Sequence, residues 1–189
     1  MIRIAVVGDI GSGKSYIAKL FNYPIFNADL EVAKIYKTNK GCFKNLKKKL
    51  PKYFLSFPIK KKEIIKAIID NNTNLKKITT IIHPEIRKKI NIFLKSNNKE
   101  KVVILDIPLL LENKLNQRGD IIIFVQSKKS EIIKRLKKRK NFNLRLFKKF
   151  KKIQLPLGFK KEKSNFIIKN DFTNKFVKTD IEKILKKIL

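Results

Sequence analysis

The sequence predicts an α/β fold in which a parallel five-stranded sheet lies between two layers of helices. Three observations support this. Several short apolar runs show no polar alternation, which is typical of strands buried on both faces. These runs alternate along the chain with stretches of helical periodicity. A glycine-rich turn links the first run to the first helix. The predicted strands are residues 2–7, 23–26, 102–105, 120–125 and 166–168.

The first strand leads into the motif GDIGSGKS at residues 8–15, and residues 16–21 open a helix. This order of strand, glycine-rich turn and helix is typical of a phosphate-binding loop. Glycines let successive backbone amides face one anion. Lys14 would reach the β- and γ-phosphates, and Ser15 would hold a magnesium ion. The alternative is a glycine turn without a ligand. The predicted nucleotide-binding residues are Gly8, Gly11, Ser12, Gly13, Lys14, Ser15 and Tyr16.

Length and composition indicate one domain with an insert and an ordinary apolar content of 43%. The net charge of +32 favours nucleic acid as a partner, but only six of the 47 basic residues are Arg. Lysines are spread along the chain, and Ile, Lys and Asn make up nearly half of it, as A/T-rich codon usage would produce. We therefore expect a solvated lysine surface without specific nucleic-acid binding, and non-specific polyanion binding at low salt.

The chain has no apolar run near the ~20 residues of a membrane span. The first strand enters the glycine motif directly, so we expect no signal peptide. A single cysteine, Cys42, excludes an internal disulfide and fits a reducing cytoplasm. Cys42 is expected to be a small buried apolar residue.

A carboxylate follows the second predicted strand. Asp29 lies at the carboxyl edge of the sheet, where ligands bind in α/β folds, and a helix is predicted over residues 30–36. Asp29 would accept a proton from an attacking hydroxyl or orient it. It would equally serve as an N-cap of the following helix. The two roles are compatible.

Residues 37–97 show helical periodicity and no convincing strand, which predicts a helical insert with a loop at residues 71–74. Pro84 suits the first position of a helix. His83 then either packs at that helix entry or contacts substrate, with Arg87 one turn on offering two donors to a phosphate.

The third strand ends at Asp106, which either binds a magnesium ion across from Ser15 or initiates a turn before Pro108. A basic helix is predicted over residues 128–140. Its Arg135 and Arg139 either lie on a solvated surface or neutralise charge on a transferring phosphoryl group.

The last third of the chain predicts a helix at residues 142–153 and a further helix at residues 175–189. Residues 135–158 together resemble a lid over a triphosphate. The final helix has one apolar stripe, which we expect to pack on the core. The stripe comprises Phe176, Val177, Ile181, Ile184, Leu185 and Ile188.

The chain resembles the dephospho-coenzyme A kinase family over nearly its whole length. The resemblance lies in the loop motif and four later features. These are Ala28-Asp29, His83 to Arg87, Asp106 to Glu112 with its Pro-Leu-Leu, and Arg135, Arg139, Gln154 and Asn170 in order. The loop alone specifies only a nucleotide-binding superfamily. The His-Pro and Pro-Leu-Leu motifs narrow it to this family.

The resemblance implies a single P-loop kinase domain over residues 1–189, with a substrate insert at about 30–97 and a lid at about 135–158. It implies transfer of the γ-phosphoryl group of ATP, with Mg²⁺, to the ribose 3′-hydroxyl of dephospho-coenzyme A. Asp29 would be the base or the group that orients the hydroxyl, and Lys14 and Arg139 would stabilise charge. The implied substrate contacts are Asp29, His83, Arg87, Pro108 and Glu112. We expect a monomer or a weak homo-oligomer.

The chain departs from the family at the loop. Val7-Gly8-Asp9 replaces the usual Thr-Gly-Gly, and Tyr16 replaces the usual Thr. Two other functions remain open at this point. One is a kinase for another nucleotide or nucleoside, which a comparison of acceptors would reveal. The other is a non-catalytic RNA-binding derivative, whose RNA affinity would survive about 0.3 M salt.

Overall fold

A computed structural model describes residues 1–139, 142–173 and 176–189. Its sheet has five strands, all parallel, in the order β2-β3-β1-β4-β5. The prediction of a five-stranded parallel sheet flanked by helices is confirmed. The strands are β1 (Ile2–Gly8), β2 (Ile25–Asn27), β3 (Val102–Asp106), β4 (Ile121–Gln126) and β5 (Phe166–Lys169).

Nine helices occur among the described residues. They are α1 (Lys14–Leu20), α2 (Ala28–Thr38), α3 (Lys40–Lys49), α4 (Lys61–Asp70), α5 (Asn72–Ser96), α6 (Lys129–Lys137), α7 (Leu144–Ile153), α8 (Leu157–Glu162) and α9 (Val177–Ile188). None of the helices in the described ranges is both long and apolar enough to cross a membrane.

The chain divides into two compact units. The sheet unit comprises Met1–Asn27, Ser96–Phe142 and Ile153–Leu189. The helical unit comprises Ala28–Lys95 and Asn143–Lys152.

The core of the sheet unit forms where the continuously apolar central strands meet α1 and α9. Every residue of β3 is buried, as the lack of alternation predicts. The stripe of α9 packs on this core through Val177, Ile181 and Ile184. Phe176 is an exception, since it precedes the first turn of α9 and remains 62% exposed. Its assignment to the core stripe was wrong.

The loop predicted at residues 71–74 is wrong, because only Asn71 separates α4 from α5, which begins at Asn72. The side chain of Asn74 is buried, and its Nδ2 donates to the Ala67 carbonyl at 2.9 Å in the last turn of α4. The Asn-rich sequence therefore forms a tight junction between two helices, in which a side-chain amide satisfies a helix-end carbonyl.

The helix predicted to start at Pro84 instead runs through it, since Pro84 lies inside the 25-residue α5. A proline within a helix costs about 3 kcal/mol through a lost hydrogen bond and a steric clash. Buried isoleucines continue at every fourth position on both sides of Pro84. Packing of this stripe outweighs the local cost. Its members are Ile78, Ile82, Ile86 and Ile90.

Cys42 is buried in α3 of the helical unit, as predicted. Burial, and secondarily the negative charge of Glu85, raise the pKa of its thiol to about 11. The thiol is therefore protonated at neutral pH.

The sequence did not predict α8, whose six residues carry no apolar periodicity. Lys140 and Asn141, in the predicted lid, and Lys175, in the predicted last helix, lie outside the described residues.

Candidate active site

The carboxyl ends of four adjacent strands bring the glycine loop and three polar side chains to one edge of the sheet. The glycine loop follows β1, Asp106 ends β3, Ser127 follows β4, and Asn170 follows β5. Adjacent parallel strands place these positions side by side. This edge is where α/β folds bind ligands.

The loop is held from behind by two side chains. The Ser12 carbonyl accepts hydrogen bonds from Asn170 Nδ2 at 2.8 Å and from Ser127 Oγ at 3.0 Å. Asn170 is 2% exposed, and its Oδ1 accepts from the Phe172 amide at 3.0 Å. Because one carbonyl of the loop is fixed from two strands, the path of the loop is set before any ligand arrives.

Glycine is required in the loop for two different reasons. Gly13 has φ +92°, and a Cβ there would meet Asn170 Nδ2 far inside van der Waals separation. At Gly8 a Cβ would lie 2.7 Å from the Val125 carbonyl oxygen. Gly8 also has a positive φ, +149°, so at both positions the backbone conformation and the lack of space each require glycine.

Lys14 is folded onto this loop, with its side chain largely buried. Its Nζ donates to the Asp9 carbonyl at 2.7 Å and lies 3.4 Å from the Gly8 carbonyl. Oδ1 of Asp9 accepts from the Ile10 amide at 2.7 Å, so part of this carboxylate is engaged by its own loop. Ser15 and Tyr16 are exposed at the start of α1.

Asp106 is buried at the end of β3, with 2% exposure. Its Oδ2 accepts from Asn27 Nδ2 at 2.6 Å, across the β2–β3 pair. Its Oδ1 has no hydrogen-bond partner among the residues that the structure describes. The side chain therefore does not cap a turn, and the turn-initiating alternative is not supported.

The segment after Asp106 contains Pro108, partly exposed, and Glu112. Glu112 Oε1 forms an ion pair with Lys160 Nζ at 2.5 Å and accepts from the Leu155 amide at 3.1 Å. The side chains of the ion pair are 8% and 1% exposed, respectively. Glu112 thus contacts one residue before α8, Leu155, and one residue within it, Lys160.

The two arginines of the predicted lid lie at and just after the end of α6. The Arg135 guanidinium stacks over the Phe172 ring at 4.3 Å, a cation–π geometry. Arg139 is exposed two residues beyond α6. Arg135 thus combines an exposed side chain with an aromatic contact.

Three predicted site residues belong to the helical unit. Asp29 lies in the first turn of α2, which begins at Ala28, so it is inside the helix and not at its N-cap. A carboxylate there interacts favourably with the helix dipole. His83 and Arg87 lie one turn apart on α5, the first half-buried and the second exposed.

The family model for dephospho-CoA kinase matches residues 2–175. The chain belongs to the dephospho-CoA kinase family. The dephospho-CoA kinase of Wolbachia sp. subsp. Brugia malayi is 29% identical over 187 residues, covering 96% of this chain and 95% of the relative. That of Bartonella quintana is 30% identical over 192 residues, covering 97% and 98%.

Solved structures share the fold. Dephospho-CoA kinase from Campylobacter jejuni has a TM-score of 0.65 at 23% identity, covering 98% of this chain and 96% of that one. TT1252 from Thermus thermophilus gives 0.78 at 21% identity, covering 100% and 98%. Shikimate kinase from Bacteroides thetaiotaomicron gives 0.53 at 14% identity, covering 98% and 97%. Since kinases with different names share this fold, the fold alone does not choose the acceptor.

Sequence reasoning on this member of the dephospho-CoA kinase family missed Lys160, Ser127 and the bracing contact of Asn170. Lys160 is one lysine among 41, and its burial leaves no local pattern. Ser127 lies two residues after the strand predicted at residues 120–125, near the edge where ligand-side residues collect, and that position was the available signal.

His83 provides a test of the helical unit in solution. Burial, and then the positive charge of Arg87, lower the pKa of its imidazole below 6.5. We expect the NMR titration of the single histidine to have its midpoint below 6.5. The unfolded chain takes up this proton first as pH falls, so this contribution to stability is lost as pH drops through about 6.5 towards the folded pKa.

Arg87→Gln should move this midpoint upwards but not beyond 6.5, because burial is the larger cause. Lys89→Gln, on an exposed part of the same helix, serves as the control. A wild-type midpoint at or above 6.5 would contradict the burial of the imidazole.

Proposed function

We propose that this kinase transfers the γ-phosphoryl group of ATP to the ribose 3′-hydroxyl of dephospho-coenzyme A, with the glycine loop binding the triphosphate. The observation that carries the proposal is the braced loop, in which Lys14 already lies over the loop at the ligand edge of the sheet. The family match over residues 2–175 supports the acceptor.

The loop suits a triphosphate because a glycine-rich turn lets successive amides face one anion. Its Ser12 carbonyl is tied back by Asn170 and Ser127. Lys14 is already buried and would exchange its contacts with the Gly8 and Asp9 carbonyls for phosphate oxygens, so its ammonium would lose little further hydration. The proposed ATP-binding residues are Gly8, Gly11, Ser12, Gly13, Lys14, Ser15 and Tyr16.

The donor set also suits Mg²⁺, which prefers hydroxyl, carboxylate and water oxygens. Asp106 has a buried oxygen without a donor among the described residues, and Ser15 opens α1 with its side chain exposed. We propose that these two residues hold the ion, Asp106 through water. When bound, the ion would neutralise negative charge on the phosphates.

On the acceptor side, we propose that Asp29 orients the 3′-hydroxyl and takes its proton. The helical unit would bind the rest of dephospho-CoA, and residues at about 30–97 would act as the substrate insert. His83 would contact the substrate as a neutral imidazole, since its pKa is lowered. Arg87 offers two parallel donors to a phosphate. Pro108 would complete the acceptor site. Glu112, whose Oε1 is engaged by Lys160 and by the Leu155 amide, would act there by fixing the segment that carries Pro108.

We further propose that residues 135–158 act as a lid and that Arg139 approaches the transferring phosphoryl group. An arginine suits this role because charge spreads over the oxygens of the transition state. Catalysis would then rest on positioning and electrostatics, without a covalent intermediate.

The assay that tests the proposal incubates the protein with ATP and Mg²⁺ and compares dephospho-CoA with nucleoside monophosphates as acceptors. We expect a 3′-phosphorylated product from dephospho-CoA alone. A preference for a nucleoside monophosphate would instead favour a kinase for another nucleotide. We expect RNA binding by the exposed lysines to fade by about 0.3 M salt. The reaction and the single buried thiol fit a cytoplasmic enzyme.

Asp29→Asn should lower kcat about 100-fold while leaving the Kd for ATP within twofold, because the amide keeps the shape but loses the base. Glu31→Gln is the matched control, since Glu31 lies in the same first turn of α2 and pairs with Lys34 at 2.6 Å. Steady-state kinetics and nucleotide titration measure both quantities. An unchanged kcat would reduce Asp29 to a helix-stabilising charge.

A further inference from the structure

Helix α8 has an inverted pattern of burial. It exposes 37% of Leu157 and 41% of Phe159, whereas Lys160 is its one buried residue, at 1% exposure. Among the described lysines, only Lys160 and Lys14 have buried side chains. A helix that exposes its large apolar residues and buries an ammonium group is not arranged for hydrophobic stability.

The partner of Lys160 is Glu112, and the contact is short and shielded from water. Lys160 Nζ lies 2.5 Å from Glu112 Oε1, which also accepts from the Leu155 amide at 3.1 Å. A buried ion pair seldom stabilises a protein more than apolar residues of similar volume would. The presence of the Lys160–Glu112 pair therefore indicates that the two segments it joins need a defined relative position.

The pair lies at a specific place in the chain. The helical unit includes Asn143–Lys152, and the sheet unit resumes at Ile153. Leu155 is bound to Glu112 two residues after that point, and Lys160 is bound five residues later. Glu112 therefore fixes the end of the proposed lid to the segment that follows Asp106.

We infer that Lys160 is a positioning residue for phosphoryl transfer: its ion pair with Glu112 anchors the exit of the lid, so that Arg139, at the lid's entrance, reaches the transferring group. This rests on the proposed function. Lys160 itself does not touch either substrate. Loss of the anchor affects the closed arrangement that the transition state requires, more than the binding of ATP by the glycine loop.

The test compares Lys160→Met, Glu112→Gln and the double variant with the wild type and with Lys161→Met, an exposed neighbour on α8. Each protein is assayed for kcat, for the Kd of ATP and for its melting temperature. Either single change should lower the melting temperature, because it leaves one buried charged or polar partner uncompensated. The double variant should regain most of that loss.

The inference predicts that kcat falls at least tenfold in Lys160→Met and stays low in the double variant, while the Kd for ATP changes less than threefold. Lys161→Met should match the wild type. If the double variant regains both melting temperature and kcat, the pair is structural only and the inference is overturned.

Arg139 supplies a second readout. If Lys160 acts by placing Arg139, then Arg139→Ala should lower kcat strongly in the wild type and less than threefold further in Lys160→Met. If the losses in kcat from Arg139→Ala and Lys160→Met multiply fully, the inference is overturned. Partial unfolding of Lys160→Met does not change this result, because kcat is compared at equal folded fraction in both backgrounds. If the wild type does not phosphorylate dephospho-CoA, the proposed function fails and the inference fails with it. If the wild type is active and the losses multiply, only the inference about Lys160 fails.

Discussion

Lys14→Ala is expected to reduce turnover at least about 1,000-fold, the scale at which a single preorganised charge acts on a transition state. Its ammonium lies over the glycine loop, 2.7 Å from the Asp9 carbonyl. It would stabilise the negative charge on the phosphoryl group during transfer. Product formation from dephospho-CoA under saturating ATP measures the loss.

Lys19→Ala is the matched control, because Lys19 lies on the same helix α1 and is exposed. It should retain wild-type kcat within twofold. Lys14 donates to the main-chain carbonyls of Gly8 and Asp9. The melting temperatures of both variants check that each is folded in the assay. Near-normal turnover in Lys14→Ala would remove the assignment of this loop to the phosphates.

Gly13→Ala is expected to abolish measurable ATP binding and to lower the melting temperature. The new Cβ would strain a backbone at φ +92° and would displace the Asn170 amide that bonds to the Ser12 carbonyl. A non-glycine residue in such a conformation costs about 1–3 kcal/mol. Displacement of Asn170 adds the loss of the brace behind the loop.

Gly119→Ala separates these two contributions. Gly119 has φ +91°, but a Cβ there meets nothing within 4 Å. Gly119→Ala should therefore lose stability through backbone strain alone and keep the wild-type affinity for ATP. Asn170→Ala in the Gly13→Ala background should add little further loss, because the same contact is already broken. Equal effects of the two glycine substitutions would show that the Gly13 steric contact is unimportant.

The predictable part of the active site is the part whose chemistry is local. The run from Gly8 to Ser15 carries its own conformational requirements, and Asp106 follows a strand with no polar alternation. Both positions could be placed at the carboxyl edge of the sheet from strand order alone. The hydrogen bond from Asn170 to the Ser12 carbonyl joins residues 158 positions apart, and the local sequence around either residue does not predict it.

Local rules failed where packing opposed them. The rule that proline starts a helix gave the wrong boundary at Pro84, because a stripe of buried isoleucines continues on both sides. The rule that Asn-rich stretches form loops failed at Asn74, whose amide satisfies the end of α4. Helical periodicity placed Phe176 in the core, but the residue falls before the first turn of α9.

By itself the sequence determined the parallel α/β sheet and the position of the glycine loop, because each depends on residue type and spacing over short windows. It also indicated a kinase family, because several short motifs follow one another in order along nearly the whole chain. Tertiary structure decided which lysine among 41 is buried against Glu112 and which side chains hold the loop from behind. These contacts join residues far apart in the chain, and their energies arise only when water has been excluded from between them.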